Sequence, residues 1–317
     1  MKTAFLIHPL FLQHDTGPAH PERPARLMAI EKQLRATALW DELTHLGFSP
    51  ASELDVERCH TKNHIARVKG IAQSGGGALD ADTILSLRSF DAALLASGAT
   101  MRATEAVWHG EVENAFVAAR PCGHHAESGR NAHSPWGFCL FNHAAVAARY
   151  AQQKLGAKKI AILDFDVHHG NGTQEIFWED DTVFFASLHE APLFPGSGAA
   201  SETGAPNACG LTLNIPLRAG ADGTIYRAAW QKVGIEVKKF APDLILLSAG
   251  YDAYQNDPLA HMNLRVEDFA ALVADAKSWA DSLCSGKIVA VLEGGYNLDG
   301  LARSVEATLR VLSGKAN

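Results

Sequence analysis

Short apolar runs alternate with longer amphipathic segments along most of the chain. Runs rich in aliphatic and β-branched residues predict strands at residues 3–7, 115–119, 159–165, 182–188, 211–215, 244–249 and 287–292. The runs KIAILDF, LILLSAG and KIVAVLEGG are almost continuously apolar, which is typical of strands buried on both faces of a parallel sheet. Apolar positions at helical spacing predict helices at residues 23–37, 90–108, 141–155, 224–240 and 266–285. The pattern predicts an α/β fold with a mostly parallel central sheet and helices on both faces.

Composition adds limits to this picture. The chain has 317 residues, 47% of them hydrophobic, and contains no internal repeat, low-complexity stretch or linker, which favours a single domain over residues 1–317. A net charge of -7 argues against a surface that binds nucleic acid through phosphates. No stretch approaches the roughly 18 uncharged apolar residues of a membrane span. The apolar opening is interpreted as a strand rather than a signal peptide, because His8 and Pro9 interrupt it.

The five cysteines are scattered and form no CxxC pair. This spacing argues against a disulfide framework and against a thiolate zinc site. Reduced cysteines in a cytoplasmic protein are therefore expected.

The segment DFDVHHGNG follows the apolar strand KIAIL. Residues two apart in an extended chain point the same way, so Asp164, Asp166 and His168 can share one face. Three such groups at the end of a buried strand are costly to desolvate unless a cation neutralises them. The alternative for this motif alone is that Asp164 and Asp166 cap the next helix while His168 is a core histidine.

A second strand end strengthens the metal interpretation. LILLSAG runs into Asp252, so Asp166, His168 and Asp252 form a three-ligand set that leaves a position for water, as in catalytic zinc sites. Iron(II) and other divalent ions also accept these ligands. A third strand, KIVAVLEGG, delivers Tyr296 on a glycine turn, although a turn tyrosine at the sheet edge is the simpler interpretation of that residue alone.

A histidine pair, His124-His125, follows another predicted strand. Imidazole can be poised near neutral pH and oriented by a carboxylate or amide, and Asp164 and Asn171 are natural partners. The pair is weak alone but coincides with the other strand-end motifs. Ligand sites of open parallel sheets lie beyond the carboxyl ends of their strands, which is where all these residues fall.

The chain resembles the histone deacetylase superfamily, in its class II-like bacterial deacetylase and acetylpolyamine amidohydrolase branch. The resemblance rests on motifs in the family's order from about residue 8 to residue 300. They are HPLFLQHDTGPAHPERPARL, RPCGHHAE, GFCLFN, ILDFDVHHGNGTQ, SLHEAPLFPGSG, SAGYDAYQNDPL and LEGGYN.

The resemblance implies one zinc ion bound by Asp166, His168 and Asp252. It implies that His125 is the general base and then the general acid, and that His124 is its electrostatic partner. The resemblance further implies that Asp164 orients His124 and that Asn171 faces His125, where class I relatives have an aspartate. Tyr296 would donate a hydrogen bond to the oxyanion. Channel residues implied in the same way are Gly137, Phe138, Phe194, Leu259 and Asp82.

Potassium sites are also implied by the resemblance. The first would use Asp164, Asp166, His168, Ser187 and Leu188, and the second would use main-chain oxygens near Phe177, Asp180 and Val183.

The chain departs from the family pattern at several positions. Cys122 stands where a second proline is usual, His143 where an asparagine is usual, and Tyr254 differs from the usual residue after GYDA. The segment 128–136 is longer than in several relatives, so the shape of the channel rim is open.

The sequence is compatible with four functions. The first is zinc-dependent deacetylation of acetyl-lysine in proteins or peptides, modestly favoured because Leu259 stands where polyamine-selecting relatives carry a glutamate. The second is acetylpolyamine hydrolysis, with Asp82 or Glu190 as the ammonium anchor. A two-metal ureohydrolase is disfavoured, because Gly170 and Tyr254 occupy positions where that site needs carboxylates. A non-catalytic binding module is least favoured, because every expected catalytic group is present. The sequence is compatible with a homo-oligomer as well as a monomer.

Overall fold

A computed structural model describes residues 2–131 and 134–315. Its strands are β1 (Thr3–Leu6), β2 (Gly76–Ala78), β3 (Ile84–Ser86), β4 (Asn114–Val117), β5 (Ile160–Asp164), β6 (Val183–Glu190), β7 (Thr212–Leu217), β8 (Leu244–Ala249) and β9 (Ile288–Leu292). Its α-helices are α1 (Ala25–Ala36), α2 (Glu53–Val56), α3 (Lys62–Gln73), α4 (Ser89–Trp108), α5 (His143–Tyr150), α6 (Asn171–Phe177), α7 (Gly223–Phe240), α8 (Val266–Leu283) and α9 (Leu298–Leu312). A π-helical segment, Ala151–Leu155, continues α5.

Seven strands form one sheet in the order β1-β4-β9-β8-β5-β6-β7, and every pairing in it is parallel. All residues of β5, β8 and β9 are buried, and since successive side chains point to opposite faces, both faces of the central strands are covered. Edge strand β7 is only partly buried and contains Pro216, which a sheet edge tolerates. The fold class predicted from the sequence is confirmed.

Helices pack in series around this sheet. Helix α9 packs against α1 and α8, and α8 packs against α7, while α4 packs against α5 and β4. No helix within residues 2–131 and 134–315 is long and apolar enough to cross a membrane.

Each predicted strand corresponds to one of the seven sheet strands, with bounds that agree to within about two residues. Helices α2, α3, α6 and α9 and the antiparallel pair β2–β3 were not among the predicted elements. The pair β2–β3 begins with glycines and holds few apolar residues, so it carries little periodic signal. The long segment 128–136 contains residues 132 and 133, which lie outside the described part of the chain.

Candidate active site

Four neighbouring strands, β4, β9, β8 and β5, present polar residues at their carboxyl ends. The His124-His125 pair follows β4, Tyr296 follows β9, Asp252 follows β8, and Asp166 with His168 follows β5. Because these strands are parallel and adjacent, their carboxyl ends meet at one edge of the sheet. The topology therefore brings together residues that are up to 172 positions apart, the separation between His124 and Tyr296.

Asp166, His168 and Asp252 lie within 4.8 Å of one another through their ligand atoms, and all three are buried. The Nδ1 atom of His168 is 3.2 Å from Oδ1 of Asp166 and 3.1 Å from Oδ2 of Asp252. Ligands roughly 2.0–2.1 Å from a tetrahedral zinc ion are about 3.3 Å from each other. The donor set and its spacing thus fit a zinc ion.

Backbone amides hold the two carboxylates in place. Gly294 donates to Oδ2 of Asp166 at 2.7 Å, and Val167 donates to Oδ1 of Asp252 at 2.9 Å. A Cβ atom on Gly294 would lie 2.0 Å from Oδ2 of Asp252, so only glycine fits there. These backbone hydrogen bonds fix the orientation of the Asp166 and Asp252 carboxylates independently of an ion.

The helix-capping alternative for the DFDVHH segment is wrong. Helix α6 begins at Asn171 after Gly170, without a side-chain cap. The Asp164 carboxylate instead accepts from the backbone amide of Asp166 at 3.0 Å and contacts Nδ1 of His124 at 2.9 Å.

The two adjacent histidines have opposite electrostatic surroundings. Burial lowers the pKa of His124, but the charges of Asp166 and Asp164 outweigh it and raise the pKa well above the usual histidine value. Burial, followed by repulsion from His124 and His168, lowers the pKa of His125 well below that value. His124 is therefore suited to remain a cation, whereas His125 is suited to remain a neutral base. The Nδ1 atom of His125 is 2.7 Å from Oδ1 of Asn171.

A narrow channel leads to these groups. Its volume is about 200 Å³, and its lining residues are Asp82, His125, Gly137, Phe138, His168, Leu193, Phe194, Leu259 and Tyr296. All five predicted channel residues are in this set. The Phe194 ring lies edge-on to His125 at 5.0 Å, and the Phe138 ring lies edge-on to Tyr296 at 6.0 Å. The proposed alternative anchor Glu190 is buried, and its carboxylate oxygens contact the backbone amide and ring of His261, so Glu190 is not a free ammonium anchor.

Tyr296 is held by contacts that its own motif does not reveal. Its backbone amide donates to Asp257, and the guanidinium carbon of Arg26 lies 5.0 Å from the centre of its ring. Burial, then the nearby Cys122, raise the pKa of Tyr296 well above 10, although Arg26 opposes this shift. The phenol therefore keeps its proton and is available as a donor.

A buried ion-pair network supports both the tyrosine turn and the histidine loop. Glu22 contacts Arg26 at 3.1 Å and Arg120 at 2.7 Å, and all three side chains are inaccessible. Although burial raises it, Arg120 and the other neighbouring charges lower the pKa of Glu22 to about 2. Arg26 also donates to the backbone oxygen of Gly295 at 2.7 Å. Glu22 and Arg26 lie in HPERPARL, so the motif was visible in the sequence while its structural purpose was not.

Sequence reasoning also missed Glu293, Asp257 and Glu127. Glu293 accepts from the backbone amides of Gly123 at 2.7 Å and His124 at 3.0 Å, and burial raises its pKa to about 7. Each of these carboxylates acts through tertiary contacts, although each lies inside or beside a quoted motif.

The residues implied for the first potassium site converge at neighbouring strands. Asp164 of β5 is the register partner of Ser187 of β6, and the Ser187 hydroxyl contacts Nδ1 of His189 at 3.0 Å. For the second site, the main-chain oxygen of Phe177 accepts from the amide of Asp180.

Comparison with known proteins agrees with this architecture. The family model for the histone deacetylase domain matches residues 20–312. A probable deacetylase of Archaeoglobus fulgidus is 40% identical, with 95% of this chain and 83% of that protein covered. A histone deacetylase-like amidohydrolase of Pseudomonas aeruginosa is 34% identical, with 93% and 82% covered.

A solved structure, the HDA15 HD domain, superposes with a TM-score of 0.93 at 35% identity and covers 99% of this chain and 90% of that one. Sequence and structure therefore agree on one assignment: the chain belongs to the histone deacetylase family.

Proposed function

We propose that this protein hydrolyses N-acetyl amides of amines, with acetyl-lysine side chains as its substrates and a zinc ion held by Asp166, His168 and Asp252. The observation that carries the proposal is the narrow channel that ends beside those three groups and is lined by both His125 and Tyr296. A zinc ion there would supply a Lewis acid for the amide carbonyl and for water.

Residues of the chain supply the proton transfers. His125 is neutral and lines the channel, so it takes a proton from the attacking water and later protonates the leaving amine. Asp166 and Asp164 raise the pKa of His124, and the protonated ring would favour the developing negative charge. The Tyr296 phenol donates a hydrogen bond to the carbonyl oxygen as it gains charge. The products are acetate and the free amine.

Channel shape supports a long, thin substrate. Phe138 and Phe194 offer apolar walls for a four-carbon stem, while Asp82 is the one carboxylate among the channel-lining residues. The apolar Leu259 offers no second ammonium anchor, which supports lysine over polyamine. Potassium at the two sites described above remains part of the proposal as a structural support near β5 and β6.

Acetate release from metal-stripped protein reloaded with zinc tests the proposal. Acetyl-lysine peptides are compared with acetylputrescine and acetylspermidine at matched concentrations. We expect peptide turnover to exceed polyamine turnover and to disappear without a divalent ion. Higher polyamine turnover would overturn the substrate assignment and point to Asp82 as the ammonium anchor, and no acetate from any of them would overturn the activity.

A further inference from the structure

Asn171 bridges two groups behind the channel. Its Oδ1 atom is 2.7 Å from Nδ1 of His125, and its Nδ2 atom donates to Oε1 of Glu127 at 2.8 Å. Two other acceptors near Nδ2, the backbone oxygens of Pro135 and His125, lie farther away at 3.4 and 3.5 Å. Glu127 is therefore the principal partner of the amide nitrogen.

This arrangement has a chemical consequence for His125. An asparagine amide can rotate and present either oxygen or nitrogen, whereas a carboxylate only accepts hydrogen bonds. Because Glu127 accepts from Nδ2, the oxygen of Asn171 must face His125. The histidine then carries its proton on Nδ1, and its Nε2 atom keeps the lone pair that a general base needs.

We propose that Glu127 is a positioning residue that fixes the tautomer of His125 through Asn171. The proposal rests on the proposed function, because it explains how the general base is kept in its basic form. With the Asn171 amide reversed, Nδ1 of His125 would accept a hydrogen bond from the amide NH₂ group, and Nε2 would carry the ring proton. That tautomer cannot take a proton from water.

The neighbouring histidine shows why an extra carboxylate is needed. His124 contacts the Asp164 carboxylate directly at 2.9 Å, so its orienting partner accepts in every rotamer. His125 contacts an amide, which is ambiguous by itself. Glu127 removes this ambiguity by accepting a hydrogen bond from the NH₂ group of Asn171, which leaves the amide oxygen facing His125.

Glu127 is itself held firmly. Its second carboxylate oxygen accepts from the Ser134 hydroxyl, and its backbone oxygen contacts Nδ1 of His60 at 2.9 Å. The next residue, Ser128, donates from both its amide and its hydroxyl to Glu175, each at 2.8 Å. These contacts fix the distance between Glu127 and Asn171.

Close packing of α6 completes the arrangement. A Cβ atom on Gly172 would lie 2.4 Å from the backbone of Ala126. Glycine at this position allows the start of α6 to approach the 125–127 segment, which places Asn171 between His125 and Glu127.

The first test is Glu127→Met, which keeps side-chain length and removes the acceptor. We expect kcat on an acetyl-lysine peptide to fall at least about tenfold, less than the ~10⁴-fold loss caused by a fully wrong histidine tautomer in a serine protease triad. Zinc content and KM should stay within about twofold of the unmodified protein. Unchanged kcat would overturn the inference. Glu175→Met, which loosens Ser128 but leaves the Glu127 carboxylate, is the matched control and should lower kcat less.

A second substitution separates tautomer control from simple structural support. Asn171→Asp makes position 171 an acceptor only, so Glu127 is no longer needed. In that background Glu127→Met should leave kcat unchanged or raise it, because it removes a repulsive neighbouring carboxylate. An equal fall in both backgrounds would assign Glu127 a merely structural role and overturn the inference.

Nitrogen chemical shifts give a readout that needs no turnover. Long-range ¹H–¹⁵N spectra of histidine-labelled, zinc-loaded protein should show His125 protonated on Nδ1, and Glu127→Met should give a mixture with the Nε2–H form. Pure Nδ1–H in the variant would overturn the inference. If the unmodified protein releases no acetate, the proposed function fails, while these spectra still decide the role of Glu127.

Discussion

The Asp257 carboxylate accepts a hydrogen bond from the backbone amide of Tyr296 at 2.7 Å. Its other oxygen accepts from the amide of Leu259 at 3.0 Å, so one side chain positions two channel residues. Burial, followed by the nearby charge of Asp252, raises the pKa of Asp257 to about 7. The channel wall and the proposed oxyanion donor are thus set by the same carboxylate.

Asp257→Asn should therefore reduce activity without removing zinc. An asparagine would direct its NH₂ group at the backbone N–H of either Tyr296 or Leu259. Two donors would then face each other, so the backbone at that residue must shift. A misplacement of about 1 Å costs roughly 10²-fold, so we expect kcat/KM to fall by about 10- to 100-fold. Kinetics and elemental analysis measure the effect, with Asp281→Asn, on an exposed side chain, as the control. A kcat/KM in Asp257→Asn equal to that of the unmodified protein would contradict this role.

Tyr296→Phe should keep the fold and zinc but lose most of the rate. The phenol lines the channel, and one oxyanion donor is worth roughly 2.7–4 kcal/mol, or about 10²- to 10³-fold in kcat. Acetate release under saturating peptide measures it. Tyr150→Phe removes a hydroxyl that bonds Glu105 at 3.0 Å, outside the site, and should be nearly silent. Equal kcat in both variants would exclude the assigned role.

Asp252→Ala should abolish stoichiometric zinc binding. It removes one of three donors and leaves His168 with a single carboxylate contact. Elemental analysis after dialysis against zinc should show less than one ion per chain, whereas Asp299→Ala, at a side chain that is 74% exposed, should bind like the unmodified protein. Full zinc occupancy in Asp252→Ala would show that the ligand set is wrong.

Local pattern predicted the sheet and the cluster of Asp166, His168 and Asp252, because the sheet and most of this cluster depend on spacing along single strands. The alternation of Asp164, Asp166 and His168 at the end of β5 needs only extended geometry, and the parallel topology then adds Asp252. Glu127 and Asp257 were missed because their partners are determined by tertiary packing. Glu127 reaches Asn171 across 44 positions, and Asp257 reaches Tyr296 across 39.

Gly137 should tolerate no side chain. Its φ is +48°, and a Cβ atom would lie 2.3 Å from Cδ2 of His125 and 2.9 Å from the Phe194 ring. Gly137→Ala should therefore displace His125 and lower kcat/KM at least about 10²-fold while zinc is retained. Gly110→Ala has a similar positive φ of +70° but no atom within 4 Å, so it isolates the backbone strain. Comparable kcat/KM for the two variants would show that the clash at Gly137 is relieved without affecting His125.

His143 should make the fold sensitive to acid. Its ring is fully buried, its Nε2 donates to the backbone oxygen of Pro121 at 3.0 Å, and its Nδ1 accepts from the Ser97 hydroxyl at 2.9 Å. Burial lowers its pKa from 6.5 to about 4. Between these values the unfolded chain binds a proton that the folded protein does not, so stability is full above pH 6.5 and falls as pH decreases toward 4.

His143→Asn removes this titration. At about 1.36 kcal/mol per pKa unit, His143 accounts for a loss of about 2 kcal/mol in the free energy of unfolding between pH 7 and pH 5. We expect the decrease between these two pH values, measured by urea unfolding, to be smaller by that amount in His143→Asn than in the unmodified protein. His109→Asn, at an exposed position, is the matched control and should leave the difference as it is. The comparison uses the change with pH, so a loss of stability common to both pH values does not affect it. An identical decrease in His143→Asn and the unmodified protein would show that His143 does not titrate as its burial requires.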